Sequence, residues 1–305
     1  MEIFLNKISC GLYKKPVYNK IITPLNTIDE FYNVKKLIKL SESNFKVVYL
    51  CVDNNGFIID KRTTHDKAMK EYNVARLIKN GLRVISVKND SLFIKYYPLG
   101  DGIDFGRIYD YDNCYEKRLR LVLKYSLGIV EQIFNLHSSM LVHLDIKPDN
   151  ILYSYKEDRF VIIDFEYVTS NTPQTNTKCV YKGTHNYMDP YLQTYKDTHD
   201  LFKTPPDLEK CDIYSLGVTL WVLLYKDYPF FEPSDPFQTY EDTVNKTGIH
   251  NDLFTNLLFR MLNREQYLRP NIREVYRSVK AIYRYKYINH RRNHYDRFDY
   301  LNLFK

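Results

Sequence analysis

The chain is short of glycine and cysteine and has no long apolar run. Ten of its 305 residues are glycine and five are cysteine. The cysteines (Cys10, Cys51, Cys114, Cys179 and Cys211) are odd in number and widely scattered. That spacing argues against a disulfide framework and a zinc site, and it points to a reducing compartment, cytoplasm or nucleus. The longest strongly apolar stretch, Leu216 to Leu224, contains Thr219. It is less than half of the ~20 residues a membrane span requires, so no membrane partner is expected. Met1 to Lys7 offers no basic start, apolar run or small-residue cleavage site, which argues against a secretory signal. No internal repeat or low-complexity block is visible.

What is present describes a globular chain. Apolar residues make up 44% and charged residues 27%, close to ordinary domains and enough for a sizeable core. The length suggests about two domains. A net charge of +7 suits phosphates, nucleic acid or acidic partners without saying anything of fold. The 29 tyrosines, with abundant Asn, Lys, Ile and Phe, suggest an A/T-rich gene.

Residues 1–38 give no clear motif. From about Leu40 to Pro98 the pattern is strand-like. Lys46–Val52 and Phe57–Lys61 flank Asp53-Asn54-Asn55-Gly56, a hairpin turn. Lys67 to Lys79 reads as a helix ended by Asn80-Gly81, and Val84–Val87 with Ser91–Tyr97 reads as a second hairpin. Beyond Pro98 the chain becomes helical. Leu119, Val122, Leu123, Ile129, Val130, Ile133, Phe134 and His137 keep one helical stripe. Ile213 to Leu224 is apolar nearly all round, as a fully buried helix would be. The pattern is α+β in two lobes, with a ligand cleft expected between them near residues 95–100.

The chemistry concentrates in Val142-His143-Leu144-Asp145-Ile146-Lys147-Pro148-Asp149-Asn150-Ile151-Leu152 and, after a strand, Ile163-Asp164-Phe165-Glu166. Phosphoryl transfer needs a carboxylate to orient a hydroxyl, a cation near the moving phosphoryl, and oxygen ligands for Mg²⁺. These segments resemble the catalytic and metal-binding loops of the protein kinase superfamily, serine/threonine type. Downstream, Gly183-Thr184-His185-Asn186-Tyr187, the helix from Asp212 to Trp221, and Leu268-Arg269-Pro270 extend the resemblance. Upstream, Leu40 to Tyr49 lies over the phosphate loop, Lys61 over the strand lysine and Glu71 over its helical partner. Ile163–Tyr167 is also similar to the metal segment of choline and ethanolamine kinases, but the downstream motifs favour a protein substrate.

The resemblance implies a bilobal protein kinase-like fold: a small antiparallel-sheet N-lobe and a larger helical C-lobe. The expected division is 1–97 for an N-terminal extension and N-lobe, 98–282 for the C-lobe and 283–305 for a tail. The implied ligands are ATP and Mg²⁺, with Mn²⁺ as an alternative, and the implied partners are protein substrates, basic proteins among them. Asp145 would orient the hydroxyl and take its proton, Lys147 would steady the phosphoryl, and Thr184 would bridge the catalytic loop to the activation segment. Asn150 and Asp164 would hold the metal. Lys61, positioned by Glu71, would hold the α/β-phosphates. Ser41, Ser43, Lys46 and Val48 would line the phosphate loop, and backbone around Lys95 and Tyr97 would bind adenine. His143 and Asp212 are assigned to holding the loop. A pseudokinase binding module is the alternative function.

Four departures from the family pattern stand out. Ser41, Ser43 and Lys46 replace phosphate-loop glycines, Leu144 replaces an arginine that receives an activation-loop phosphate, and Glu166 replaces a glycine. Tyr191 stands where a glutamate would pair with Arg269, leaving Asp189 or the Tyr191 ring as substitutes. Compact length and the altered phosphate loop resemble kinases of large DNA viruses, baculovirus or poxvirus type, which would place the protein inside a host cell. The tail interleaves aromatic and basic residues. Packing on the large lobe, or on a second subunit as a homodimer, is favoured there over nucleic-acid binding.

Overall fold

The computed structural model describes residues 24–29, 34–98, 100–102, 115–154, 156–172, 183–193, 206–226, 228–229 and 252–288. The first half of the described chain is a six-stranded antiparallel sheet, ordered β1-β2-β3-β4-β6-β5. Its strands are β1 (Pro24–Asp29), β2 (Val34–Glu42), β3 (Val47–Asp53), β4 (Gly56–Arg62), β5 (Val84–Lys88) and β6 (Ser91–Lys95). The β3–β4 hairpin closes as expected, with Asp53 paired to Gly56 and the Asp53 carboxylate accepting from the Asn55 amide at 2.8 Å. Gly56 has φ +124°, a conformation that disfavours any side chain. Helix α1 (His65–Leu77) begins two residues before the expected Lys67.

The strands β1 and β2 occupy a stretch in which the sequence shows no motif. The β1–β2 ladder shifts register between Pro24 and Thr27, and the β2–β3 ladder between Lys36 and Ile38 and again between Lys39 and Ser41. Each bulge resets the two-residue alternation by which a strand is recognised. A regular strand pattern therefore never forms in the sequence.

The second half is helical, built on α2 (Tyr115–Ser138), α3 (Leu208–Tyr225), α4 (Leu253–Met261) and α5 (Ile272–Tyr283). Between α2 and α3 run the short pairs β7 (Leu141–Val142) with β10 (Thr169–Ser170), and β8 (Ile151–Ser154) with β9 (Arg159–Ile162). These pairs set residues 143–150 and 163–166 side by side. Gln132 of α2 ties the second pair down: its amide donates to the Phe160 carbonyl at 2.9 Å and accepts from the Ile162 amide at 3.0 Å. Leu216, Val218, Leu220, Trp221 and Leu224 of α3 are all buried, the all-round burial its composition implies. Asn271 and Glu274 form a reciprocal capping box at the start of α5. No helix among the described residues is long and apolar enough to cross a membrane.

The start of the tail packs on the helical lobe. A turn at Arg284–Ile288 brings the Tyr287 hydroxyl to Glu116 at 3.3 Å and the Lys286 ammonium to the same carboxylate at 3.4 Å. Residues 289–305 lie outside the described residues.

Arg269 is buried, with one carboxylate and three carbonyls as partners. It pairs with Asp189 and donates to the carbonyls of Asn263 (2.7 Å), Lys210 (2.9 Å) and Arg264 (3.2 Å). Asp189 also accepts from the amides of Tyr191 at 2.7 Å and Leu192 at 3.3 Å. The Tyr214 ring makes an aromatic contact to Arg269, its centroid 4.9 Å away. Asp189→Ala should leave a buried guanidinium uncompensated and cost ~3–5 kcal/mol, read as a lower urea midpoint with an unchanged slope. A loss below 1 kcal/mol would show that the carbonyls alone satisfy the arginine.

Candidate functional site

The catalytic loop hangs from one buried carboxylate. Asp207 caps α3, accepting from the Lys210 amide at 3.1 Å, so Asp212 lies inside the helix instead of at its end. Its oxygens accept from the backbone amides of His143 (2.7 Å) and Leu144 (2.8 Å) and meet His137 Nε2 at 3.0 Å. Leu144 is thereby held at φ 65°, a left-handed conformation that costs a side-chain-bearing residue of order 1–3 kcal/mol. The buried His143 ring accepts from the Asp145 amide at 3.3 Å, donates to the Ile163 carbonyl at 3.3 Å and meets Phe165 edge-on. Both ring nitrogens serve the loop's shape, so His143 has no proton to exchange with a substrate.

That loop presents Asp145, Lys147 and Asn150 to one point. Asp145 Oδ1 accepts from the Thr184 hydroxyl at 2.7 Å, and Oδ2 accepts from the Asn150 amide at 2.8 Å with Lys147 Nζ at 3.1 Å. Lys147 also donates to Thr184 Oγ1 at 2.6 Å. Thr184 reaches this cluster because Gly183, at φ +123°, lies against the Leu144 carbonyl. A Cβ there would stand 2.6 Å from that oxygen, so only glycine fits.

Asp164 forms the second centre, opposite the sheet. It too is left-handed, at φ 65°. Lys61 Nζ, on β4, lies 2.6 Å from Glu71 on α1 and 2.8 Å from Asp164 Oδ1. The turn between β2 and β3 sends Lys46 Nζ to Asp164 Oδ2 at 2.5 Å. Burial opposes the charged form of Asp164, but Lys61 and then Lys46 outweigh it and hold the carboxyl well below the usual carboxylate range. Burial likewise opposes the charge on Lys61, yet Glu71 and Asp164 push its pKa up to about 12. Glu71 is pulled upward by burial, with Lys61 acting against that.

The phosphate-loop positions are arranged differently. Ser41 is a β2 residue paired with Val48, and Val48 faces Lys61 across β4. The Ser43 hydroxyl accepts from the amides of Phe45 (3.4 Å) and Lys46 (3.3 Å), so it closes the turn on itself. None of Ser41, Ser43 and Lys46 has positive φ, so the missing glycines leave no backbone strain here. Lys95 Nζ meets Glu157 at 3.5 Å, and the Tyr97 hydroxyl accepts from the Arg83 amide at 3.3 Å. Both hinge side chains thus serve the structure around the cleft.

Two further lysines belong to the site. Lys67 on α1 reaches the Glu166 carboxylate at 2.6 Å, and Lys70 donates to the Glu166 carbonyl at 2.8 Å. They share a helical face with Glu71, and that i, i+3/i+4 spacing opposite an acid at a glycine position was the signal available in the sequence. Leu144, in place of a cation, is buried with Val142, Met188, Leu192, Leu208 and Cys211, and Tyr167 packs on that cluster.

Comparison with known proteins agrees with this geometry. The family model described as "Protein kinase domain" matches residues 42–279. The chain is 27% identical over 186 residues to a mitogen-activated protein kinase kinase kinase 7-like protein of Drosophila melanogaster, covering 59% of this chain and 42% of that one. It is 29% identical over 163 residues to a serine/threonine-protein kinase of Acanthamoeba polyphaga mimivirus, covering 52% of this chain and 55% of the relative. The chain therefore spans about half the length, or less, of these relatives. Among solved structures, the Cydia pomonella granulovirus kinase PK-1 superposes with a TM-score of 0.58 at 22% identity, over 82% of this chain and 93% of that one. It shares the fold. The matched span contains Asp145, Asp164, Lys61 and Arg269, whose contacts join the two lobes and close the large one, and the chain belongs to the protein kinase family.

Proposed function

We propose that this protein is a serine/threonine protein kinase, transferring the γ-phosphoryl of MgATP to Ser or Thr hydroxyls of protein substrates. The observation that carries the proposal is the joint placement of Asp145, Lys147, Asn150 and Thr184 within hydrogen-bonding distance of one another. Such a cluster has no need of itself in a binding scaffold. Asp145 Oδ1, which now accepts from Thr184, is the atom to accept the proton of an incoming hydroxyl. Lys147 lies between that carboxylate and Thr184, where its charge would steady a transferring phosphoryl. The serine/threonine assignment rests on Lys147 two residues after Asp145 and on Thr184 after Gly183.

The donor set suits Mg²⁺ or Mn²⁺. Asp164 offers carboxylate oxygens and Asn150 its amide oxygen, the amide nitrogen being committed to Asp145. Hard cations take such oxygen ligands and complete their shell with phosphate and water. When bound, the metal would neutralise phosphate charge. Lys61, already placed by Glu71, would hold the α/β-phosphates, and the cleft beside Lys95 and Tyr97 would take the adenine. Relatives in large DNA viruses support action within a host cell.

Asp145→Asn and Asp164→Asn should each lower transfer of labelled phosphate to a basic test protein by ~10²–10⁴-fold. Near wild-type rates in both would sink the reading. A wild type that binds MgATP without turning it over would leave a binding module in its place.

The active arrangement is held without a phosphate-binding arginine. Leu144 is buried among apolar side chains, and α1 is fastened to the metal loop through Lys61, Lys67 and Lys70. Phosphatase-treated enzyme should therefore keep its initial rate. A lag removed by pre-incubation with ATP would show that activation-loop phosphorylation is required after all.

A further inference from the structure

The turn between β2 and β3 directs three of its backbone donors to itself. The Ser43 amide donates to the Lys46 carbonyl at 2.9 Å, and the amides of Phe45 and Lys46 both donate to Ser43 Oγ. A glycine-rich loop would offer such amides to phosphate oxygens. The Lys46 ammonium is turned instead toward the Asp164 carboxylate. The turn is also fixed in place. Thr63 donates to the Phe45 carbonyl at 3.3 Å, and Lys67 Nζ, which pairs with Glu166, lies 5.2 Å from the Phe45 ring centroid.

Asp164 therefore carries one ammonium on each oxygen, Lys61 on Oδ1 and Lys46 on Oδ2. The two are not equivalent. Lys61 is buried and anchored by Glu71, with 8% of its side chain exposed, whereas the Lys46 side chain is 29% exposed. Lys46 bonds directly to Asp164, and its charge also acts on Glu71. Lysine is a compact point charge on a flexible stem, able to change partners at small cost.

We infer that Lys46 is an exchanging ligand: it covers the metal-binding carboxylate of Asp164 in the nucleotide-free protein and moves to the nucleotide phosphates when they arrive. The inference rests on the kinase reading above and assigns to Lys46 a phosphate contact that the amides of Ser43, Phe45 and Lys46 do not give. It requires two effects of opposite sign. Lys46 competes with a bare divalent cation for Asp164, and it assists a nucleotide that brings its own phosphates. A lysine that merely supports the turn would affect both ligands in the same direction, or neither.

The test measures Mn²⁺ binding to the full chain without nucleotide, by the electron paramagnetic resonance of free Mn²⁺, and MgADP binding by calorimetry. Lys46→Met should bind Mn²⁺ alone several-fold more tightly and MgADP about tenfold more weakly, the loss of one charge-assisted contact. Lys46→Gln, neutral but still able to hydrogen-bond, should show the same pair of shifts, and Lys46→Arg should keep MgADP affinity within about threefold of wild type. Lys39→Met is the control, since Lys39 pairs with the exposed Glu42 on the same strand, and it should alter neither affinity. Equal weakening of both ligands in Lys46→Met and Lys46→Gln, or no change in either, overturns the inference while leaving the kinase reading intact. A wild type that binds no MgADP overturns the kinase reading, and the inference falls with it.

Discussion

The buried Asp212 carboxylate is the constraint on which the rest of the site depends. It lies inside α3, the most completely buried helix of the described chain, and it holds two consecutive amides of the catalytic loop. Those bonds keep Leu144 left-handed, and the Leu144 carbonyl in turn defines a space that only Gly183 can enter. Gly183 sets Thr184, and Thr184 closes on Asp145 and Lys147. A chain of close contacts thus runs from a helix in the core to the Asp145 carboxylate. Strain at Leu144 persists because its neighbours over-determine it.

Across the cleft the organisation is electrostatic. Asp164 receives Lys61 from β4 and Lys46 from the β2–β3 turn, and Glu166, two residues on, receives Lys67 and Lys70 from α1. Four cations from three parts of the smaller lobe therefore converge on a short segment of the larger one. Partial burial of Asp164 and Lys61 strengthens these attractions relative to exposed ion pairs. The Lys67–Glu166 pair is more open, and its main consequence is geometric: it fixes which face of α1 meets the metal loop.

Much of this was legible in the sequence for a chemical reason. Asp145, Lys147 and Asn150 fall in a single segment, so their spacing is itself the geometry of the site. Asp164 follows one short strand later. Lys61 and Glu71 were harder, being joined only when β4 and α1 pack, and the structure places them in contact. The Lys67 and Lys70 contacts to Glu166 cross between lobes and leave no local trace beyond their helical spacing. The partners of Arg269 were half legible: Asp189 was among the substitutes considered, but the Tyr214 ring lies on a helix distant in sequence. The strands β1 and β2 are hidden by the irregularities in the β1–β2 and β2–β3 ladders, since periodicity vanishes where two residues oppose one.

The departures from the family pattern form a connected set. Glycines of a phosphate loop and an arginine of a catalytic loop serve different ends, but each is a device for handling phosphate. In this chain the turn's amides bond inward and Leu144 joins an apolar cluster, so neither device remains. The lysines of the small lobe are bonded instead to the protein's own carboxylates, Lys61 and Lys46 to Asp164 and Lys67 to Glu166. Backbone amides bind phosphate with fixed geometry, whereas lysines can exchange one anion for another. The same ion pairs hold the smaller lobe against the larger one.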